Sequence, residues 1–391
     1  MMCASLPFPF RVFRVFRGPA KRLLLLSILA ASVARAGEPS PFTFPQAGKQ
    51  FVFPRDHGSH PDFKIEWWYI TGHLFSNADA KRRFGFQATF FRQAGSAPGA
   101  ADAEPPDSFA PAPFYLAHMA LLDVATQKFI SQERLNRSGW DAGSSTETLE
   151  VRNGNWSLRF TDAAAEHMAL TGGIRSEALF HLDLAPARPL VVFGRDGLSR
   201  KGADPLAASH YLTFPRLTAG GTLRLGAEEI AVQGEAWMDH EISSSQLTSN
   251  QTGWDWAALQ LRDGREIMAY RMRLDDGGTD PFSTLAWVEA GASPKHFGPD
   301  RFNWKPLATW KSPRTGASYP TSVQITAPDP RTGRPVVFHL VPLAPDQELN
   351  GGIGGVAYWE GACRVLDERG AEVGSAFLEL TGYAGKLSGV R

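Results

Sequence analysis

A chain of 391 residues exceeds one ordinary domain, and 43% hydrophobic residues, with 11% aromatics, give it ample apolar mass for a core, which excludes a disordered chain. The 38 Gly and 28 Pro cut it into short segments and exclude long helices and coiled coils. Lys+Arg and Asp+Glu both number 40, so no excess positive charge marks it for nucleic acid.

Residues 1–36 read as a secretory signal. Arg11, Arg14, Arg17, Lys21 and Arg22 make a basic start, Leu23 to Val33 is an apolar run, and Ala34-Arg35-Ala36 is a small-x-small cleavage site. The run is too short to span a bilayer, so the expectation is an exported protein, periplasmic or secreted, and not an integral membrane protein after cleavage. Six basic residues and no acids lie in 1–36, so the processed chain would carry 34 Lys/Arg against 40 Asp/Glu. Cys3 would leave with the signal, and Cys363 alone cannot form an intramolecular disulfide; it reads as a buried thiol.

From residue 66 onward the periodicity is two. In Glu66-Trp67-Trp68-Tyr69-Ile70-Thr71-Gly72-His73-Leu74, alternation puts Trp67, Tyr69, Thr71 and His73 on one face and Trp68, Ile70 and Leu74 on the other. Similar runs occur at 84–92, 114–124, 178–185, 229–242, 254–262, 266–274, 321–327, 335–343, 356–366 and 375–384. Asn153-Gly154, Asp263-Gly264 and Asp367 to Gly370 mark hairpin turns. Only Pro205–Tyr211 reads weakly helical. The expectation is an all-β protein, a barrel or a sandwich.

Residues 94–113, rich in Ala, Pro, Gly and acids, read as a loop insertion. Apolar alternation breaks at 243–252, which divides the chain into 37–245 and 246–391. Trp67–Leu74 aligns weakly with Trp254–Leu261 at an offset of 187, a faint sign of two similar halves.

No nucleophile elbow, Walker loop or dinucleotide glycine fingerprint is present. His240-Glu241 lacks the second His of a zinc-protease helix, and His57-x-x-His60 has no apparent third ligand nearby, so no metal and no cofactor is expected. The most unusual segment is Trp237-Met238-Asp239-His240-Glu241. In a strand, Trp237, Asp239 and Glu241 share a face, and two carboxyls beside a Trp can hold a proton near neutrality. The other reading is a set of buried hydrogen bonds fastening the two halves. Glu66 before Trp67-Trp68 and Glu360 after Tyr358-Trp359 are also carboxylates among aromatics; each is a binding residue or the partner of an Arg such as Arg92 or Arg271 across the sheet. His118, in an apolar strand, is either a satisfied core histidine or part of a site.

The segments Phe53–Phe63, Glu66–Tyr69, Trp237–Glu241, Gly253–Trp256, Leu259–Leu261, Met268–Arg271, Trp310–Pro313, Tyr358–Gly361 and Leu378–Tyr383 resemble the AttH/CrtC family. That family includes predicted secreted hydrolases and the carotenoid 1,2-hydratases. The resemblance implies two lipocalin-like β-barrels side by side, with ligand chemistry in or between them. In the hydratases an acid protonates an isolated C=C of a long isoprenoid and water captures the cation. The resemblance puts Asp239, His240 and Tyr270 forward as catalytic positions, with Trp237 and Trp256 as cation-facing groups. Ile242 stands where the hydratase branch has an aromatic, and the strand acid that branch has near Tyr270 is lacking, Arg271, Met272 and Arg273 occupying that ground; the closer match is the secreted branch.

Two functions are therefore expected as alternatives. The first is an exported carrier, or an accessory to a lipid-export transporter in the membrane, that binds a lipid or isoprenoid-like ligand. The second is a cofactor-independent hydratase or hydrolase using Asp239, His240, Glu241 and Tyr270. Glu66, Trp67, Tyr69, His118, Trp237, Trp256, Gln260, Tyr358 and Glu360 are the ligand-binding candidates under either. A carrier should present an apolar cavity without an accessible carboxyl; an enzyme should bring Asp239 or Glu241 to the cavity beside Tyr270 or His240.

Overall fold

The structure is a computed structural model that describes residues 42–95, 112–352 and 357–385. The signal at 1–36 and nearly all of the 94–113 insertion lie outside the described residues. No helix among those described is long and apolar enough to cross a membrane.

Two antiparallel sheets carry the chain. The first holds β1 (Ile65–Ser76), β2 (Arg83–Gln93), β3 (Phe114–Asp123), β4 (Lys128–Arg137), β5 (Ala142–Ser144), β6 (Glu150–Asn153), β7 (Trp156–Phe160), β8 (Met168–Ile174), β9 (Ala178–Pro186), β10 (Val191–Phe193), β11 (Ser199–Arg200), β12 (Ala208–Leu225) and β13 (Glu228–Ser245). Its order is β4-β3-β2-β1-β13-β12-β9-β8-β7-β6-β5, with β10 and β11 added beside β12. Between the two ends of this order Arg134 Nη1 donates to the Asn153 carbonyl, and Asn153 Nδ2 to that of Tyr115. These side-chain bonds draw the two ends of the order together, so the barrel is nearly closed.

The second sheet holds β14 (Gln251–Leu261), β15 (Glu266–Leu274), β16 (Thr284–Val288), β17 (Lys295–Phe297), β18 (Asn303–Lys311), β19 (Ser318–Pro328), β20 (Pro335–Pro342), β21 (Glu348–Asn350), β22 (Ala357–Leu366) and β23 (Glu372–Leu380). The order is β17-β16-β15-β14-β23-β22-β20-β19-β18, with β21 on β22. β1 and β14 hold equivalent places, each joining its sheet's second strand to its last. The protein is thus all-β, two lipocalin-like barrels packed side by side.

The expected hairpin turns are present. β6 and β7 pair around Gly154, whose φ of +62° suits a residue without a Cβ, and Gly370 donates to the Asp367 carbonyl between β22 and β23. The weak helix expected at Pro205–Tyr211 is corrected: a single turn capped by Asp204 ends at Ala207, and β12 begins at Ala208. Local Ala-rich propensity there loses to the ladder with β13, in which Tyr211 lies opposite Glu241 and Thr213 opposite Asp239. Pro215 is tolerated because it falls in the bulge between Phe214 and Leu217.

Alternation sorts the apolar side chains into three layers. Trp68, Ile70, Leu74, Phe86, Trp156 and Met238 fill the first barrel, and Leu259, Ile267, Trp287, Tyr319, Trp359 and Leu378 fill the second. The opposite faces of the same strands meet between the barrels, where Tyr69, Tyr211, Trp237, Trp256, Met268, Tyr270 and Phe377 pack together. Fully burying a side chain of this size contributes roughly 2–3 kcal/mol, so strands covered on both faces are held twice over. At one end the barrels approach closely: a Cβ on Gly85 would come 2.5 Å from that of Ala362. His73 Nε2 donates to the Ala376 carbonyl there, and Arg83 Nη2 to Ser375 Oγ.

Candidate functional site

Away from that seam the barrels part, leaving a chamber of about 400 Å³ between them. The interiors of both barrels are packed with side chains, so the hollow belongs to the interface between the barrels. Its apolar walls are Ile65, Trp67, Phe91 and Leu116 from the first barrel and Trp254, Trp256 and Met272 from the second. Phe114 and Leu135 also line it and are exposed, which marks the mouth. These residues meet because β1, β2 and β13 turn their odd-numbered faces outward and β3 its even-numbered one, while β14, β15 and β22 turn even-numbered faces, and β23 an odd-numbered one, to meet them.

One polar group centres on Asp239 of β13. Its Oδ1 accepts hydrogen bonds from Thr213 Oγ1 and Trp237 Nε1, and its Oδ2 one from Tyr211 Oη, all at 2.7 Å. Trp256 Nε1 donates to Tyr211 Oη at 2.9 Å. Burial pushes the Asp239 carboxyl up, the three donors pull it back, and it stands at about 7. Glu241 accepts from Ser209 Oγ and pairs with Lys201 Nζ at 3.0 Å. Burial opposes the charge of Lys201, but Glu241 and Tyr270 outweigh it and hold the amine above its ordinary value. The ammonium lies over the rings of Tyr211 and Tyr270, 4.7 and 4.4 Å from their centroids, and Tyr270 Oη donates to the Arg200 carbonyl.

A second group comes from β22 and β23. Glu360 and Glu379 are direct partners in that ladder. Trp254 Nε1 donates to Glu379 Oε2 at 3.0 Å, whereas no hydrogen bond reaches either oxygen of Glu360. Burial, with Asp239 and Glu241 nearby, pushes Glu379 up to about 7. Burial and Glu379 hold Glu360 well above the usual carboxylate range. Tyr69 is itself buried, lacks a hydrogen-bond partner, and packs edge-on against Trp256 at 5.3 Å.

A third group crosses between the barrels. His118 Nδ1 lies 2.7 Å from Tyr358 Oη, and His118 Nε2 lies 3.0 Å from Glu133 Oε2. Gln87 Nε2 donates to Tyr358 Oη at 3.0 Å.

Of the residues expected from the sequence, Asp239, Glu241, Tyr270, Trp67, Tyr69, His118, Trp256, Tyr358 and Glu360 line the chamber. Four do not. His240 faces into the first barrel, stacked on Trp68 with ring centroids 4.8 Å apart, because it alternates with Asp239 and Glu241. Glu66 lies on that side too, its carboxylate bonded to His60 Nδ1, His240 Nε2 and Arg92 Nε. Burial would raise Glu66, but these partners hold it well below its ordinary value. Trp237 meets the site through its N–H to Asp239, and Gln260 donates to the carbonyls of Pro215 and Ala236 across the seam.

The expected want of a third ligand near His57 and His60 is also corrected. His57 packs among Phe53, Phe160 and Phe214, while Glu66 and His240 join His60, with ligand atoms all within 4.8 Å of one another. Each of those atoms already has a hydrogen-bond partner in the group, and Arg92 sets a positive charge on Glu66, so the arrangement fits an ion network better than a metal site. Lys201, Tyr211, Thr213, Glu133 and Glu379 were missed. Glu379 had a signal, a lone acid in the apolar alternation Phe377-Leu378-Glu379-Leu380; Lys201 lies in a loop and had none.

The chain matches the AttH-like family model over residues 44–383. It is similar to the crystal structure of a "putative AttH" from Nitrosomonas europaea, at 34% identity, a TM-score of 0.76, and coverage of 88% of this chain and 99% of the other. Kievitone hydratase from Nectria haematococca shares the fold, at 14% identity and a TM-score of 0.64 over 88% of this chain and 98% of that one. Among curated proteins no match was found. Nearly the whole of the described chain, barrels and chamber together, is thus accounted for by one family: the protein belongs to the AttH-like family.

Proposed function

We propose that the protein is a cofactor-independent acid–base enzyme of the hydratase kind, adding water to an isolated C=C of an apolar small molecule held between the barrels. The observation that carries this is the pair Glu360 and Glu379, a buried carboxyl and a half-buried one facing each other in a largely apolar chamber with no cation bonded to either among the described residues. Two carboxylates so placed cannot both ionise at modest cost, so one keeps its proton near neutral pH. That proton can pass to one alkene carbon, and the faces of Trp67 and Trp256 can stabilise the cation left on the other. Water then bonds to the cation and gives up a proton, restoring neutrality. Asp239, saturated by three donors, positions Tyr211 and Trp256 and so acts through them. A carrier would be served by apolar walls alone; four carboxyls at the wall, Asp239, Glu241, Glu360 and Glu379, favour the enzyme. Kievitone hydratase, a fold neighbour, is a hydratase by name. The basic and apolar start of the chain supports export, which would put the reaction in the periplasm or outside the cell.

The test is to incubate the full protein with a panel of isoprenoid and prenylated alkenes in ¹⁸O-labelled water and follow products by mass spectrometry. Addition of labelled water that is lost in Glu379→Gln and Glu360→Gln is expected. No addition across the panel, or turnover unaffected by both substitutions, would overturn the proposal.

A further inference from the structure

Hydration needs a base for the attacking water as well as an acid for the alkene, and the Asp239 group is poorly suited to that task because its oxygens are already taken. The third polar group is differently built. His118 and Glu133 are direct partners in the β3–β4 ladder, and Tyr358 reaches them from β22 of the other barrel. His118 and Tyr358 both line the chamber and are 3% and 4% exposed.

The hydrogen bonds fix the direction of proton flow. The Glu133 carboxylate can only accept, so the neutral His118 ring carries its hydrogen on Nε2, and Tyr358 Oη, which accepts from Gln87 Nε2, donates its own hydrogen to His118 Nδ1. Nδ1 is then the unprotonated nitrogen, and Nε2–H donates to the Glu133 carboxylate. A hydroxyl, an imidazole accepting from it, and a carboxylate holding the far side of the ring make an activated constellation of the triad kind. Tyr358 lies two residues from Glu360 on the same face of β22, a separation of about 7 Å along the strand, enough for a double bond and a water between acid and base.

We infer that Tyr358 and His118 are the base of the site, with Glu133 as the positioning residue. This rests on the reading of the protein as an acid–base enzyme. As the water oxygen bonds to the substrate cation, its proton passes to Tyr358 Oη and the tyrosine's own proton passes to His118 Nδ1. The imidazolium faces the Glu133 carboxylate and returns its proton through solvent to the acid pair, so that one water is added and the enzyme is restored.

The relay can be tested without knowing the substrate, using the apolar electrophile 2-naphthalenesulfonyl fluoride on the full-length protein. Tyr358 Oη attacks sulfur, fluoride leaves, and the phenolic proton goes to His118. Peptide mapping should find Tyr358 labelled about tenfold faster than Tyr383 or any other tyrosine, slowed about tenfold by Glu133→Gln and partly restored by Glu133→Asp. Labelling of Tyr358 no faster than the rest, or indifferent to Glu133→Gln, would overturn the inference. The unaltered protein provides a check that needs no variant: ¹⁵N spectra of the His118 ring should show a bare Nδ1 and a protonated Nε2, and the opposite tautomer would equally sink it. Selective labelling with no hydration of any alkene would fell the enzyme reading alone, whereas hydration with an unreactive Tyr358 would fell the relay alone.

Discussion

Glu360 of β22 and Glu379 of β23 stand directly opposite each other in the ladder, the first buried and the second half-buried, with Trp254 bonded to Glu379 and nothing bonded to Glu360. Like charges at such a position repel, and Lys201, an ammonium that lines the same chamber, is already committed to Glu241. The pair therefore works against the fold, which is the usual mark of a group kept for chemistry.

The pair makes stability fall with pH. The carboxyl of Glu379 rises from an ordinary 4.5 to about 7 on folding, so between those values the folded chain binds more protons than the unfolded one. The contribution is fully present below the lower value and is lost through the upper one, on the order of 3 kcal/mol. Glu379→Gln should remove this term, so that its stability relative to the parent protein grows between pH 5 and pH 8. Urea unfolding across that range checks it; a difference independent of pH would contradict the assigned burial.

Arg92→Met should destabilise the protein by about 3 kcal/mol, because it leaves the buried carboxylate of Glu66 without its guanidinium. Glu66 is held low in the folded state, so its contribution is present above the ordinary carboxyl value and disappears as the pH falls. The parent and Arg92→Met should therefore converge in acid.

Asp239→Asn should cost about 2 kcal/mol, since an amide nitrogen would confront one or more of the donors Tyr211, Thr213 and Trp237. The released indole of Trp237 should shift the fluorescence emission of the folded protein. An unchanged spectrum with unchanged stability would mean that these bonds do not form.

Filling the chamber separates ligand binding from folding. Leu116 lines the hollow and is only half-buried, so Leu116→Trp can extend into free space at a cost below about 1.5 kcal/mol. It should weaken binding of 1-anilinonaphthalene-8-sulfonate about tenfold by occupying the volume the dye needs. Fluorescence titration beside thermal unfolding reads both effects; undiminished binding would place the dye elsewhere.

The sequence by itself determined the all-β class, because alternation of period two in strands such as Glu266–Leu274 is a local property that only a pleated strand satisfies. It also determined which residues share a face: Trp67 with Tyr69, and Asp239 with Glu241 but not His240. The tertiary structure decided what each face meets. Glu66 and Glu360 look alike as carboxylates beside paired aromatics, yet β2 sets Arg92 opposite Glu66 while β23 sets Glu379 opposite Glu360. One carboxyl is consequently neutralised and the other is left waiting. Strand partners, unlike strand faces, are chosen by chain segments tens to hundreds of residues away, and no local pattern records that choice.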